Sequence, residues 1–211
     1  MNAPAPLISD AWDIPDGVTY LNHGSFGPAP RPVRESQQRW TAELQRQPME
    51  FFVRRLEGLL DETCDALGRF VGADPRDLVL VDNATAGMNI VARSVELEAG
   101  DQVLLTDHEY GAVRRLWQKT CQAAGAELVV RRLPWPLLEE DSAERLVEHL
   151  AASITDRTRL LVASHVTSAT ATTLPIELIC QAASRHGVPV CVDGPHAVAM
   201  LPLDLEQLGC D

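Results

Sequence analysis

Residues 188–193 read VPVCVD, and the chain then turns through Gly194 and Pro195 to His196. The run is apolar from Val188 to Val192, rich in β-branched residues and bounded by glycines at 187 and 194. Such a short continuous run reads as a strand buried on both faces rather than one that alternates between core and water. Upstream lies PIELICQAASRHG (175–187), which opens on proline and closes on glycine as a helix does. The same unit recurs toward the N-terminus. Strands are predicted at Leu160–Ala163, Glu127–Leu133, Val103–Thr106 and Leu78–Val81, with helices over 142–154, 112–125 and 84–97 between them. Five buried strands alternating with four helices predict an α/β fold of three layers, a mainly parallel sheet with helices on both faces.

Before this domain, which we assign to 73–211, the pattern differs. Residues 1–30 are rich in Pro and Gly and read as an N-terminal arm with turns. Residues 31–72 read as N-terminal helices. One runs from Pro32 to about Gln47, with Val33, Trp40 and Leu44 on one face, and a second from about Phe51 to Val71, where Leu56, Leu59, Leu60, Cys64, Leu67 and Phe70 recur at threes and fours. GADP (72–75) stops it.

The 211 residues carry a net charge of −12, and their 18 basic residues are scattered, with no stripe to follow a phosphate backbone. Nucleic acid is therefore not an expected partner. No stretch approaches the ~20 apolar residues of a membrane span, and the N-terminus lacks the basic start and apolar core of a secretory signal. The five cysteines, at 64, 121, 180, 191 and 210, form an odd set without CxxC spacing. They read as reduced thiols, which suits a cytoplasmic setting.

In open α/β sheets ligands gather beyond the carboxyl ends of the strands. The residues there are Asp82-Asn83-Ala84-Thr85-Ala86-Gly87, Asp107-His108-Glu109-Tyr110, Ser164-His165-Val166-Thr167-Ser168 and Asp193-Gly194-Pro195-His196. NATAG (83–87) leads from a strand into a helix through small residues, so its amides, the Thr85 hydroxyl and the helix dipole suit an anion. The plain alternative is that Asn83 or Thr85 is only a helix cap. Asp193 follows five apolar residues and needs a cationic partner, but no Lys or Arg lies near it in sequence. A protonated pyridine nitrogen would serve, and a carboxylate holding that proton is the central device of pyridoxal 5'-phosphate (PLP) chemistry. A strand-end Asp capping its own turn is the plain reading of the same residue. No spacing matches HExxH or a Cys-rich zinc pattern, so no metal site is assigned. Ser164-His165 lacks the GxSxG elbow of a serine hydrolase. His165 reads as structural, and His108 and Glu109 as solvent-facing.

YLNHGSFGPAP (20–30), NATAGMN (83–89), DHEYGAV (107–113), ASHVTSATATTLPI (163–176) and VDGPHA (192–197) occur in an order that resembles the class V aminotransferase family of fold-type I PLP enzymes, in the branch similar to isopenicillin N epimerase. The resemblance implies the large domain of such an enzyme and a cofactor, PLP, held by this chain. Thr85 and the amides of Ala84 to Ala86 would take its phosphate, and Tyr110 would stack on the pyridine ring. Asp193 would pair with the pyridine nitrogen, and His196 would reach the phenolic oxygen with Ser168 nearby. Asn22 and His23 would face a small amino-acid-like substrate. The substrate-carboxylate guanidinium is expected further along the chain, with Arg31 and Arg34 as alternatives. The reaction would be epimerisation, transamination or C–S lysis, and the intact protein a homodimer.

One residue type departs from that pattern. The chain contains a single lysine, Lys119, in a helical segment that reads as surface, whereas the family's cofactor-linking lysine lies C-terminal to the strand-end Asp. The large domain is therefore expected to be incomplete, lacking the lysine segment and the small C-terminal domain. A partial sequence, a split gene product and a protein that has lost its chemistry all fit. The alternative to an enzyme is a non-catalytic α/β binding or assembly module derived from this fold.

Overall fold

The computed structural model describes residues 11–134 and 142–210. The chain divides into two compact units, Met1–Thr63 and Cys64–Asp211. The first holds the short helix α1 (His23–Phe26), then α2 (Arg31–Arg46), α3 (Pro48–Glu50), a π-helical turn (Phe51–Arg55) and the start of α4 (Leu56–Val71). Asp13 receives the guanidinium groups of both Arg31, at 2.9 Å, and Arg34. Trp40 meets the Phe51 ring edge-on with centroids 6.3 Å apart, and Arg55 pairs with Glu43 at 2.8 Å. The apolar face predicted for α2 is not covered within this unit, since no residue of α2 is buried.

The second unit is built on a four-stranded parallel sheet. Its strands are β1 (Gln102–Thr106), β2 (Glu127–Arg131), β3 (Thr158–Ser164) and β4 (Val190–Asp193), in the order β2-β1-β3-β4. The helix α5 (Ala84–Ser94) precedes β1, the helices α6 (Gly111–Ala124), α7 (Ser142–Ala151) and α8 (Ile176–Ser184) lie between successive strands, and the short α9 (Leu205–Leu208) follows β4. Alternate strand residues feed two cores, because successive side chains of a strand point to opposite faces. Val103, Leu105, Leu160 and Val162 pack with Met88 and Ala92 of α5 and with Val113, Trp117 and Cys121 of α6. Leu104, Leu161, Ala163 and Val190 pack with Leu146 and Leu150 of α7 and with Ile179, Cys180 and Ala183 of α8. Helices thus cover both faces, the architecture expected from the continuous apolar strands.

α4 stops at Gly72, whose φ of +67° places it in the left-handed region. A Cβ there would lie 2.7 Å from Asp204 Cα, and the Gly72 carbonyl accepts the Glu206 N–H at 3.0 Å. Glycine lets the end of α4 lie directly against the chain that follows β4.

The predicted strand at Leu78–Val81 is a correction. The segment belongs to no sheet, and Val79 is 80% exposed. A strand exists only by pairing, and among the described residues none lies alongside this run to complete a ladder. The predicted strand end at Leu133 also recedes to Arg131, because Leu133 turns its N–H to the Asp107 carboxylate at 2.9 Å.

Urea unfolding distinguishes the two kinds of apolar residue. Leu161→Ala, in the core, should cost about 2–5 kcal/mol, whereas Val79→Ala should stay within about 0.5 kcal/mol of the parent.

Candidate functional site

β1 leads by α6 to β2 on one side of it, while β3 lies on its other side. This reversal makes the carboxyl ends of β1 and β3 the switch point at which open α/β sheets bind ligands. β4 adds its own end next door, with Ser164 opposite Asp193 in register. The N-terminus of α5 supplies a further element of the unit.

Asp193 closes β4 and is only 9% exposed. Its carbonyl accepts the His165 N–H at 3.0 Å, but among the described residues no hydrogen bond to its carboxylate is recorded. Burial pushes the carboxyl up from its ordinary pKa, and the charge of His196 opposes this only in part. The capping alternative for Asp193 thus finds no recorded bond at the Gly194-Pro195 turn. A cavity of about 410 Å³ opens beside it, lined among others by Ala84, Met88, His165, Cys191 and Leu208.

At α5, the Asn83 side chain accepts the Ala86 N–H at 2.9 Å, and its carbonyl accepts the Gly87 N–H at 3.1 Å. Asn83 is therefore the helix cap, as the plain alternative had it, and it occupies the Ala86 amide. The amides of Ala84 and Thr85 remain, both on exposed residues at the positive end of the helix. The turn thus leaves the Ala84 and Thr85 amides outside the cap that Asn83 forms.

Tyr110 precedes α6 and is 49% exposed, so its ring has a face to offer. Ser168 is exposed in the turn after β3, and His196 is half-buried in the turn after β4. Asn22 and His23 lie in the first unit, where His23 packs edge-on against Tyr20 and Trp12 with centroids 5.1 and 6.0 Å away. Arg31 and Arg34 are engaged by Asp13. Lys119 is exposed on α6, as predicted.

His165 is buried, and burial pushes its pKa down against the pull of Glu177. It serves the backbone, donating to Asp193 and accepting the Leu174 N–H at 2.8 Å. Cys191 is no nucleophile. Burial, with Asp193 next, pushes its thiol up to about 11, and its Sγ lies 3.8 Å from Met88 Sδ.

The solvent-facing reading of His108 and Glu109 is overturned. His108 Nδ1 lies 2.9 Å from Asp107 Oδ1, with a mostly buried ring. Glu109 is 8% exposed and accepts hydrogen bonds from Thr106 Oγ1 and Ser164 Oγ, each at 2.5 Å. Burial raises its pKa above the ordinary carboxylate value, Asp193 adds to this, and the two hydroxyls oppose it. A helical or strand period has nothing to say about a turn residue, so hydrophobic patterning could not find it. The one available signal was its place among polar residues at a strand end.

A parallel sheet covered on both faces, with a capped helix start and a nearly buried carboxylate at adjoining elements, defines an open α/β domain of the ligand-binding type. The chain belongs to the aminotransferase class-V family, whose model matches residues 32–211. It is 40% identical to isopenicillin N epimerase of Streptomyces clavuligerus over 92% of this chain and 48% of that protein. It is 38% identical to isopenicillin N epimerase of Amycolatopsis lactamdurans over 97% of this chain and 53% of that protein. Among solved structures it resembles C-DES, described as a cystine C–S lyase, in a lysine-to-alanine mutant with glycine covalently linked to the PLP cofactor. There the TM-score is 0.84 at 27% identity, covering 93% of this chain and 51% of that one. The chain spans about half the length of these relatives. No helix among the described residues is long and apolar enough to cross a membrane.

The burial of Asp193 has a measurable sign. An acid whose folded pKa is raised binds more protons folded than unfolded, so its effect on stability worsens as pH rises from the ordinary value of 3.8 through the raised one. Asp193→Asn removes that penalty. Urea midpoints should therefore be higher for the variant than for the parent at pH 7, and the gap should close below pH 4.

Proposed function

We propose that this protein is a PLP-dependent enzyme acting on an amino-acid-type substrate, and that these 211 residues form the part that grips the cofactor's phosphate and ring. The single observation carrying this reading is Asp193, a nearly buried carboxylate without a recorded hydrogen bond among the described residues, at the ligand-binding rim of the sheet. A cationic ring nitrogen satisfies it where no neighbouring arginine or lysine in sequence does. The amides of Ala84 and Thr85, with the Thr85 hydroxyl, hold the phosphate. Tyr110 lies against the ring face, Asp193 keeps the nitrogen protonated, and His196 hydrogen-bonds the phenolic oxygen with Ser168 near it. Bound there, the cofactor supplies a ring able to accept negative charge from the substrate's α carbon.

Lys119, exposed on α6, is not the residue that links the cofactor covalently. In this reading that lysine, and the group that grips the substrate carboxylate, belong to the half of the relatives that these 211 residues do not match. The relatives support epimerisation or C–S bond cleavage as the reaction of the intact protein, with transamination the third chemistry of the family. The intact protein is a homodimer in this reading, and the present chain alone does not turn substrate over.

Titration of the 211-residue chain with PLP tests the reading. Reversible binding is expected, with no visible band of a lysine-linked cofactor and no pyridoxyl group on Lys119 after borohydride treatment. Asp193→Ala should weaken binding about tenfold or more, the loss of one hydrogen bond to a charged group. Uptake that is indifferent to Asp193 would defeat the assignment, and absence of any uptake would favour a non-catalytic binding or assembly module.

A further inference from the structure

Of the two nearly buried carboxylates at the strand ends, Asp193 has a part in the function above and Glu109 has none. Glu109 sits where the topology reverses. Its Oε1 accepts from Thr106, the last residue of β1, and its Oε2 accepts from Ser164, the last residue of β3, each at 2.5 Å. Both bonds lie at the short end of the range for a hydroxyl donating to a carboxyl oxygen. One planar group thus joins the two strands that flank the crevice. The same Thr106 oxygen also accepts the His108 N–H at 3.2 Å, so the turn after β1 is tied at two points to the strand it leaves. Tyr110 follows Glu109 directly, and its carbonyl accepts the Arg114 N–H at 3.0 Å as α6 begins.

Burying this carboxyl is costly, because desolvation disfavours the charged form. An apolar side chain of similar size would avoid that cost but would leave the two hydroxyls without their acceptor. The groups around it are Asp193 and the Cys191 thiol on β4, with His196 acting on Asp193 from the following turn, and Asp107 and His108 on its own turn. Among the described residues Glu109 is bonded through its side chain to the two hydroxyls and makes no ion pair with Lys or Arg. The residue is therefore held for its two-pronged shape.

We propose that Glu109 is a positioning residue whose carboxyl pins the 107–110 turn into the crevice between β1 and β3 and so fixes where Tyr110 stands. The part of Tyr110 in holding a cofactor rests on the function proposed above; the pin itself does not.

Native-state amide hydrogen exchange on the 211-residue chain tests it. The reporters are the amides of Asp107, His108 and Arg114, which are bonded to Arg131, Thr106 and Tyr110. Leu104 and Leu105, inside β1, are the reference. Glu109→Ala should speed exchange at the reporters about tenfold or more while the reference amides stay within about twofold. Glu109→Gln, which keeps the shape and can bond both hydroxyls, should stay within about threefold of the parent. Should Glu109→Ala fail to fold, Ser164→Ala removes one prong and should speed the same reporters by about threefold. Reporters unmoved by the alanine variants, or a glutamine variant as fast as alanine, would overturn the proposal, as would equal acceleration of turn and reference amides. PLP titration of the same variants separates the two readings. A parent chain that takes up no PLP defeats the cofactor reading, while the exchange result still decides Glu109.

Discussion

β1 pairs in parallel with β2 on one side and with β3 on the other, so Val103 sits opposite Leu128 and also opposite Leu160. That central position is what the rest of the second unit depends on. It pairs β1 along both edges and gives the two helical layers a common floor. It also sets the β1 and β3 ends side by side with their connections leaving in opposite directions. The gap so created is where polar groups collect, because helix connections cover the remainder of the sheet.

Two acids stand at that gap in different circumstances. Glu109 is surrounded by donors from the protein, the hydroxyls of Thr106 and Ser164, and its burial is matched by them. Asp193 is nearly as buried, yet its carboxylate has no recorded bond among the described residues. A buried carboxylate with internal donors has the cost of its burial offset, and one without them keeps that cost. The same contrast separates Asn83 from its neighbours. Its side chain completes the α5 cap by taking the Ala86 amide, leaving the two preceding amides open. In each case one member of a pair is engaged within the protein and the other has no such bond among the described residues.

Leu78–Val81 has the composition of a buried strand, but the described residues offer it no ladder, and Val79 stays exposed. The chain spans about half the length of its relatives. Composition expresses what a segment is suited to, and pairing depends on which other segments are present.

The sequence by itself determined the parallel, doubly covered sheet, because continuous apolar runs such as Leu160–Ala163 and Val188–Val192, separated by helices with proline starts and glycine ends, admit few other packings. It also determined that Asp193 and Tyr110 would stand past the ends of β4 and β1, since that follows from counting residues past each of those strands. Only the tertiary structure decided which of these groups were already engaged. Glu109 turned inward because the Thr106 hydroxyl and that of Ser164, 55 residues further along the chain than Glu109, converge on it. Arg31 and Arg34 were taken by Asp13, and Ala86 by Asn83. Burial and hydrogen-bond partners depend on neighbours brought together by folding, and no local pattern encodes them.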